Sequence, residues 1–176
     1  GKAVYTQWCN HRGGIEADLT VNRMVEDRFF VVTAAAAENR DWTWLRRAAV
    51  GRQVTIVNVT HDQAMLGVMG PNSRALLSEL TSADLSNDGF HFGTGQPLEI
   101  AGAQVLALRM SYVGELGWEL YVPNADSVAV YDAMVEAGTS HGLVHAGYHA
   151  MDSLRLEAGM RHWGHDITDE DTPIEA

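Results

Sequence analysis

The order of the predicted strands and helices is the feature that most restricts the fold of this chain. Short segments rich in β-branched and aromatic residues alternate with helical segments at irregular intervals, without the regular strand–helix–strand repeat of a parallel sheet. This order predicts an α+β fold with mainly antiparallel sheets and packed helices. The chain has 176 residues, of which 46% are hydrophobic, so we expect a single domain over residues 1–176.

The local patterns predict where these elements lie. Strands are expected at 4–7, 19–25, 28–33, 53–60, 64–69, 98–100, 104–110 and 118–122. Helices are expected at 34–50, 71–80, 124–137 and 148–160. Asn124 is expected to cap the third helix with its side chain. Gly13 and Gly14 predict a tight turn between the first two strands, because glycine adopts positive φ and allows close backbone approach.

Charge and composition argue against several classes of function. The net charge of -11 argues against a nucleic-acid groove and against binding to an anionic membrane surface, since both need clustered Lys and Arg. A single cysteine, Cys9, allows no internal disulfide. The chain also lacks a G-x-G-x-x-G fingerprint and a phosphate-binding Gly-Lys-Ser/Thr loop, so no FAD or NAD domain is predicted within it.

The first candidate site is Asp18, which follows the double-glycine turn near the expected start of a strand. A carboxylate in this position can lie beside a closely approached ligand, exchange a proton with it or stabilise its positive charge. The alternative is a turn with a solvated acid, which is the usual fate of acids in loops.

The second candidate site is the segment Ser111–Tyr121, in which Gly114 and Gly117 bracket an acid. If its flanks pair as a hairpin, Tyr112 and Glu119 converge on one cleft. An ionised Glu119 could then accept two hydrogen bonds from a ligand. The alternative is an ordinary hairpin with an exposed Glu115.

Arg155 and the eight histidines favour structural roles. Arg155 does not face Glu157 on a helix, so we expect it to be a buried partner in another ion pair. Neither the His145/His149 pair nor the group around His165 has an H-E-x-x-H pattern or a cysteine partner, so no metal site is predicted.

Five motifs follow one another along the chain in a distinctive order and spacing. They are Tyr5-Thr6-Gln7 with Gly13-Gly14-Ile15 and Asp18, Gly70-Pro71-Asn72-Ser73-Arg74, Tyr112-Val113-Gly114-Glu115-Leu116-Gly117-Trp118-Glu119, Asp152-Ser153-Leu154-Arg155-Leu156-Glu157-Ala158-Gly159, and Gly164-His165-Asp166-Ile167 with Thr172-Pro173. In these motifs the chain resembles, over essentially its whole length, the glycine-cleavage T-protein family of folate-dependent aminomethyltransferases.

Three segments resemble one branch of the family most, the C-terminal domain of dimethylglycine and sarcosine dehydrogenases. They are 70–74, 112–118 and 162–166. The resemblance implies an enzyme domain that transfers one-carbon units to tetrahydrofolate. It also implies an FAD domain upstream in the parent protein and an N-methyl amine substrate, with no nucleic-acid or membrane partner. The branch implies a cytoplasmic location, or the mitochondrial matrix in a eukaryote.

The resemblance also assigns roles to residues. Asp18 matches the catalytic acid near the reactive folate nitrogens, Tyr112 shapes the pterin pocket and Glu119 hydrogen-bonds the pterin ring. Tyr5 and Ala34 also stand at folate-site positions. Two departures weaken a strict glycine-cleavage assignment, because the T-protein has an Arg in place of Met151 and an Asn in place of Ala34.

Two other functions stay open at this point. One is a folate-dependent demethylase of another methylated substrate, which an attached flavin domain would exclude. The other is a folate-binding module without catalysis, or a structural domain of a larger dehydrogenase. The chain also resembles a fragment cut at both ends, so we expect it to be incomplete for turnover alone.

Overall fold

The computed structural model describes all 176 residues and has an α+β architecture with two antiparallel sheets, as the order of elements predicts. The chain folds into two compact units. We call residues 4–60 with 161–176 the glycine-turn unit. Residues 1–3 with 61–160 form the helix-backed unit. The single domain expected over residues 1–176 stays a prediction.

The glycine-turn unit contains a sheet in the order β1-β2-β3 and one helix. The elements are β1 (Ala3–Cys9, whose first residue belongs to the other unit), β2 (Ile15–Val25), β3 (Arg28–Thr33) and α1 (Glu38–Ala48). A 3₁₀ turn at Ala35–Ala37 precedes α1, so the α-helix is shorter than expected at both ends. Strand β3 has the predicted bounds.

The prediction of a strand at 53–60 is wrong. No strand covers these residues, and Val54 and Val57 are more than half exposed. Asn58 instead uses its side chain to bond Glu38 and the backbone N–H of Thr60. An alternating pattern shows only that a segment could pair, and this segment has no neighbouring strand to complete a ladder.

The helix-backed unit contains a four-stranded antiparallel sheet in the order β4-β7-β6-β5. Its elements are β4 (Gln63–Met69), α2 (Ser73–Leu80), β5 (Gly95–Ile100), β6 (Ala103–Leu108), β7 (Gly117–Pro123), α3 (Ser127–Gly138) and α4 (Tyr148–Glu157). The β5–β6 turn consists of Ala101 and Gly102, both with positive φ, which is the requirement of a type I′ hairpin. No helix of the chain is both long and apolar enough to cross a membrane.

Helices α2 and α3 pack on one face of this sheet and enclose the main apolar core. The core includes Leu76, Leu77, Phe90, Leu98, Ile100, Val105, Trp118, Leu120, Val122 and Val130. The predicted side-chain cap of α3 is wrong. Asn124 donates instead to the backbone carbonyl of His61, and Asp126 occupies the N-cap position without a side-chain hydrogen bond.

The second face of the four-stranded sheet carries the residues between those of the core. On β7 the core residues Trp118, Leu120 and Val122 alternate with Glu119 and Tyr121, since successive side chains of a strand point to opposite faces. The register places Gly67 opposite Glu119 on β4, and Leu108 opposite it on β6. Glu119 therefore lies on the face that α2 and α3 do not cover.

Candidate functional site

Asp18 lies inside strand β2, which begins earlier than the sequence predicts, at Ile15. Ile15, Ala17 and Leu19 are buried, at 0%, 2% and 3% exposure, so the even-numbered Asp18 projects from the opposite face of the strand. The hydroxyl of Tyr5 donates a hydrogen bond of 3.1 Å to Oδ2 of Asp18. The structure thus brings together two of the predicted site residues, and β1 orients the carboxylate.

The double-glycine turn is required by the closing segment of the chain. Oδ1 of Asn10 accepts the backbone N–H groups of Arg12 and Gly14, which closes the turn between β1 and β2. A Cβ at Gly14 would lie 1.9 Å from the carbonyl oxygen of Asp169, so only glycine allows this approach. The predicted close approach occurs, and the approaching group is the protein's own backbone.

Trp163 and Asp171 tie the first residue of β2 to the same closing segment. The indole Nε1 of Trp163 donates to the carbonyl of Ile15 at 2.7 Å, and the N–H of Ile15 donates to the carbonyl of Asp171 at 2.9 Å. The guanidinium of Arg40 lies 3.9 Å from the centroid of the Trp163 ring, a cation–π contact. Asp41, which is 3% exposed, holds this guanidinium through Oδ1.

Asn22 shares the Asp18 face of β2 and was missed in the sequence. It is fully buried, its Nδ2 lies 2.9 Å from the sulfur of Met24, and its Oδ1 has no hydrogen-bond partner. A thioether has no proton to donate, so the amide nitrogen must face the sulfur and the oxygen remains unsatisfied. Even-numbered alternation from Asp18 along β2 was the signal that could have identified it.

Ala34 lies just beyond β3 in an extended conformation and is exposed. The last residue pair of the β2–β3 ladder is Leu19 with Thr33, so Ala34 follows the end of the ladder near Asp18. Its methyl group can supply contact area but no hydrogen bond. Its part in binding stays a prediction.

Glu119 is a largely buried acid of the helix-backed unit with a shifted pKa. Burial raises the pKa of its carboxyl group, and the hydrogen bond from Tyr121 opposes that shift. The Tyr121 hydroxyl donates to Oε2 at 2.7 Å, while Oε1 has no partner within the protein. Burial first, and then the charge of Glu119, raises the pKa of Tyr121, so this hydroxyl remains a donor. The arrangement leaves one carboxylate oxygen available to a ligand.

The hairpin that the sequence suggested around Gly114 does not form. Residues 109–116 connect β6 to β7 without forming strands, and the phenol on Glu119 belongs to Tyr121. Gly114 has a φ of 74°, and a Cβ there would lie 2.7 Å from the Cβ of Ala158, so the connection packs on the end of α4. Tyr112 is half-buried, and its role stays a prediction.

Arg155 has the buried ion-pair role expected of it. It is 2% exposed, and Asp152, one turn earlier on α4, accepts its guanidinium at 2.6 Å. It also donates to the carbonyl of Met160. The prediction is confirmed, with Asp152 as the partner.

The histidines make ordinary contacts. His145 is hydrogen-bonded to Tyr131 at 2.8 Å, and the rings of His162 and His165 are in contact at a tilt of 44°, with centroids 4.3 Å apart. No group of three or more His, Cys, Asp or Glu side chains has the geometry to hold a metal ion.

Comparison with known proteins gives matches over the whole chain. The family described as GCVT N-terminal domain matches residues 1–176. The human mitochondrial sarcosine dehydrogenase is 41% identical over 100% of the chain, and the 4-methylaminobutanoate oxidase (formaldehyde-forming) of Paenarthrobacter nicotinovorans is 48% identical over 99% of it. The chain spans about a fifth of the length of each, 21% in both cases. Dimethylglycine dehydrogenases are among the other relatives.

A solved structure confirms the fold. The glycine cleavage system aminomethyltransferase T from Bartonella henselae superposes with a TM-score of 0.85 at 30% identity. The superposition covers 99% of this chain and 45% of that one.

Proposed function

The chain belongs to the GCVT N-terminal domain family, and on this premise we propose that it is a tetrahydrofolate-binding, one-carbon-transferring domain of a larger protein. It is an aminomethyltransferase-type domain related to sarcosine and dimethylglycine dehydrogenases. The finer proposal is that the parent protein oxidises an N-methyl amine and that this domain passes the one-carbon unit to the folate.

The observation that best supports the proposal is the carboxylate of Glu119, which has one oxygen held by Tyr121 and the other without a hydrogen bond. Its Oε1 makes no hydrogen bond within the protein, and the residue lies on the sheet face opposite to α2 and α3. Tyr121 fixes the other oxygen, so the carboxylate is oriented before any ligand arrives. A carboxylate accepts hydrogen bonds from neighbouring ring and amino N–H groups, and such an edge is present on a reduced pterin. The residues therefore fit this ligand.

Asp18 is the proposed catalytic acid. Tyr5 holds one of its oxygens, and the strand projects the carboxylate away from the buried side of β2. A carboxylate so placed can stabilise positive charge on a nitrogen-bound one-carbon unit, or take up the proton lost when the new C–N bond forms. Bound tetrahydrofolate would supply the nucleophilic nitrogens.

The flavin of the proposed parent protein belongs to another part of that protein. Both sheets of this chain are antiparallel, whereas a dinucleotide-binding fold needs a parallel sheet with a glycine-rich phosphate turn. The chain's residues do not fit FAD, so we assign the flavin and the amine oxidation to an upstream domain. The cytoplasmic or matrix location stays a prediction.

The test is product analysis on the full-length parent protein, with sarcosine, dimethylglycine and 4-methylaminobutanoate as substrates. With tetrahydrofolate present, we expect the one-carbon unit to be recovered on the folate. Asp18→Asn should reduce that transfer by about 10²–10⁴-fold, the usual contribution of an acid–base group, while amine oxidation continues. Glu16→Gln, on the same face of β2, is the matched control. Full transfer in Asp18→Asn would refute the assigned role.

A second candidate is favoured by one relative. The 4-methylaminobutanoate oxidase is described as formaldehyde-forming. By analogy, the parent of this chain would release formaldehyde, and the domain would have a binding or structural role. In that case free formaldehyde would accumulate at the same rate with and without tetrahydrofolate. Asp18→Asn would leave both of these rates unchanged.

A further inference from the structure

Gly67 lies directly opposite Glu119 in the sheet. The two residues form a cross-strand pair of β4 and β7 on the same face, where paired Cβ atoms lie about 4.5–5.5 Å apart. Because glycine has no side chain, only the terminal methyl of Met69 lies within 4 Å of where a Cβ at Gly67 would project. On its other side Glu119 borders Leu108, which is fully buried.

We propose that Gly67 is a size-determining position for ligand binding. The absence of its side chain opens a slot in which a flat, donor-edged heteroaromatic ring lies against β4 and bonds Glu119. This inference rests on the proposed function, which identifies the ring as the reduced pterin of tetrahydrofolate. The inference adds that Gly67 limits the size of the ring that can bind beside Glu119.

The packing of the protein does not explain this glycine. A Cβ at Gly67 would meet only the terminal methyl of Met69, at 3.4 Å, and the φ of Gly67 is not positive. By contrast, a Cβ at Gly117, on β7, would lie 2.8 Å from Met69 and 3.1 Å from the carbonyl oxygen of Val68, so packing requires glycine there. A glycine inside a strand lowers stability by about 0.5–1 kcal/mol relative to alanine. Gly67 is thus tolerated by the fold but not needed for it.

The rim of the slot has the character of a ring-binding surface. Met65 and Met69 flank Gly67 on the same face of β4, and Met65 is 56% exposed. Met65 pairs with Tyr121, the residue that holds Glu119. Methionine sulfur is polarizable and makes favourable contacts with aromatic rings. One acceptor beside two thioethers suits a flat ring with N–H groups along its edge.

The experiment measures tetrahydrofolate affinity and thermal unfolding of the full-length parent protein with Gly67→Ala or Gly67→Val. We expect Gly67→Val to weaken binding by about 10–200-fold, the effect of a small misfit in an apolar pocket, and Gly67→Ala to weaken it less. The melting temperature should stay the same or rise. Gly147→Val is the control, because a Cβ there meets nothing within 4 Å.

The outcomes separate the two proposals. If the wild type binds and both Gly67 variants bind equally well, the slot is refuted and the proposed function stands. If the wild type does not bind, the proposed function fails and the slot fails with it. If Gly67→Val does not fold, Gly67→Ala decides, since equal binding by that variant refutes the slot. A graded loss of affinity with an unchanged melting temperature supports it.

Discussion

The two sheets hold their candidate acids by different means. Glu119 stands on a four-stranded sheet whose reverse face packs on α2 and α3 through a large apolar cluster. Asp18 stands on a three-stranded sheet with few fully buried apolar side chains, chiefly Ile15, Ala17 and Leu19 of β2 itself. There, hydrogen bonds from Trp163 and to Asp171 fix the start of the strand.

This difference predicts how substitutions destabilise the surroundings of each acid. An apolar core is distributed over many contacts, so its loss lowers the stability of the whole sheet. A strand held at one end by a few directional bonds can open locally, because local opening needs less free energy than global unfolding. We therefore expect core substitutions to act broadly and turn substitutions to act near Asp18.

The largest effect is expected for Leu120→Ala in the helix-backed unit. Leu120 is fully buried, and truncation of such a side chain costs about 2–5 kcal/mol. Urea unfolding should show this loss, and hydrogen exchange should speed up throughout β4–β7. Leu156→Ala, at a side chain that is 54% exposed, is the control and should change stability by less than about 0.5 kcal/mol. Faster exchange confined to one strand would contradict the distributed core.

Gly14→Ala tests the glycine-turn unit. The new methyl group would collide with the carbonyl of Asp169, and forced packing of this kind costs about 1–3 kcal/mol. Hydrogen exchange should increase first at Ile15 and at 168–172, while the four-stranded sheet keeps its protection. Gly147→Ala, with no neighbour within 4 Å, should leave both sheets unchanged. Uniform loss of protection in Gly14→Ala would remove the distinction between the two units.

Trp163→Phe should have a smaller effect at the same place. It removes the donor to the Ile15 carbonyl and weakens the stacking of Arg40, which together amount to about 1–2 kcal/mol. Faster exchange at the start of β2 is the expected signature. Trp42→Phe, also in this unit, is the comparison, since Arg46 lies 6.0 Å from its ring centroid. Equal effects from both variants would show that the Ile15 bond contributes little.

Glu119→Gln should produce the smallest change in stability, with opposite sign. Burial raises the pKa of Glu119 above its ordinary value of 4.5, so the folded state favours the protonated form. The resulting stabilisation of the folded state is complete below pH 4.5, and it is lost as the pH rises through the raised pKa of Glu119. At neutral pH the uncharged Gln should therefore raise the melting temperature and flatten its pH dependence. Glu99→Gln, exposed on β5, should change neither; a lower melting temperature in Glu119→Gln would contradict the account.

Local patterns predicted most of the elements and only part of the site. The bounds of β3 and the β5–β6 hairpin could be read from β-branched runs and turn residues, because these features depend on neighbouring residues alone. The pairing of Gly67 with Glu119 joins segments far apart in the chain. The hydrophobic period of a strand does not specify which residue of another strand lies opposite, so this pair could be identified only in the folded sheet. The strand expected at 53–60 failed for the same reason, since it lacks a partner.

Two polar residues of the site could not be identified from the sequence, because their roles depend on contacts made in the folded structure. Tyr121 reads as an ordinary strand aromatic until its hydroxyl is seen on Glu119. Asn22 reads as a surface residue, although it is fully buried with an unsatisfied oxygen. Asp18 and Glu119 could be singled out because glycines accompany them in sequence. Their hydrogen-bond partners had no comparable signal.

The most direct test of the central claim, that Glu119 binds the ring of a folate, is equilibrium titration of the full-length protein with tetrahydrofolate. The wild type should bind saturably. Glu119→Gln should bind about 10–100-fold more weakly, because a hydrogen bond to a charged acceptor contributes about 1.5–3 kcal/mol. Saturable binding of equal affinity in the wild type and in Glu119→Gln would show that the ring lies elsewhere, and no binding by the folded wild type would contradict the folate function itself.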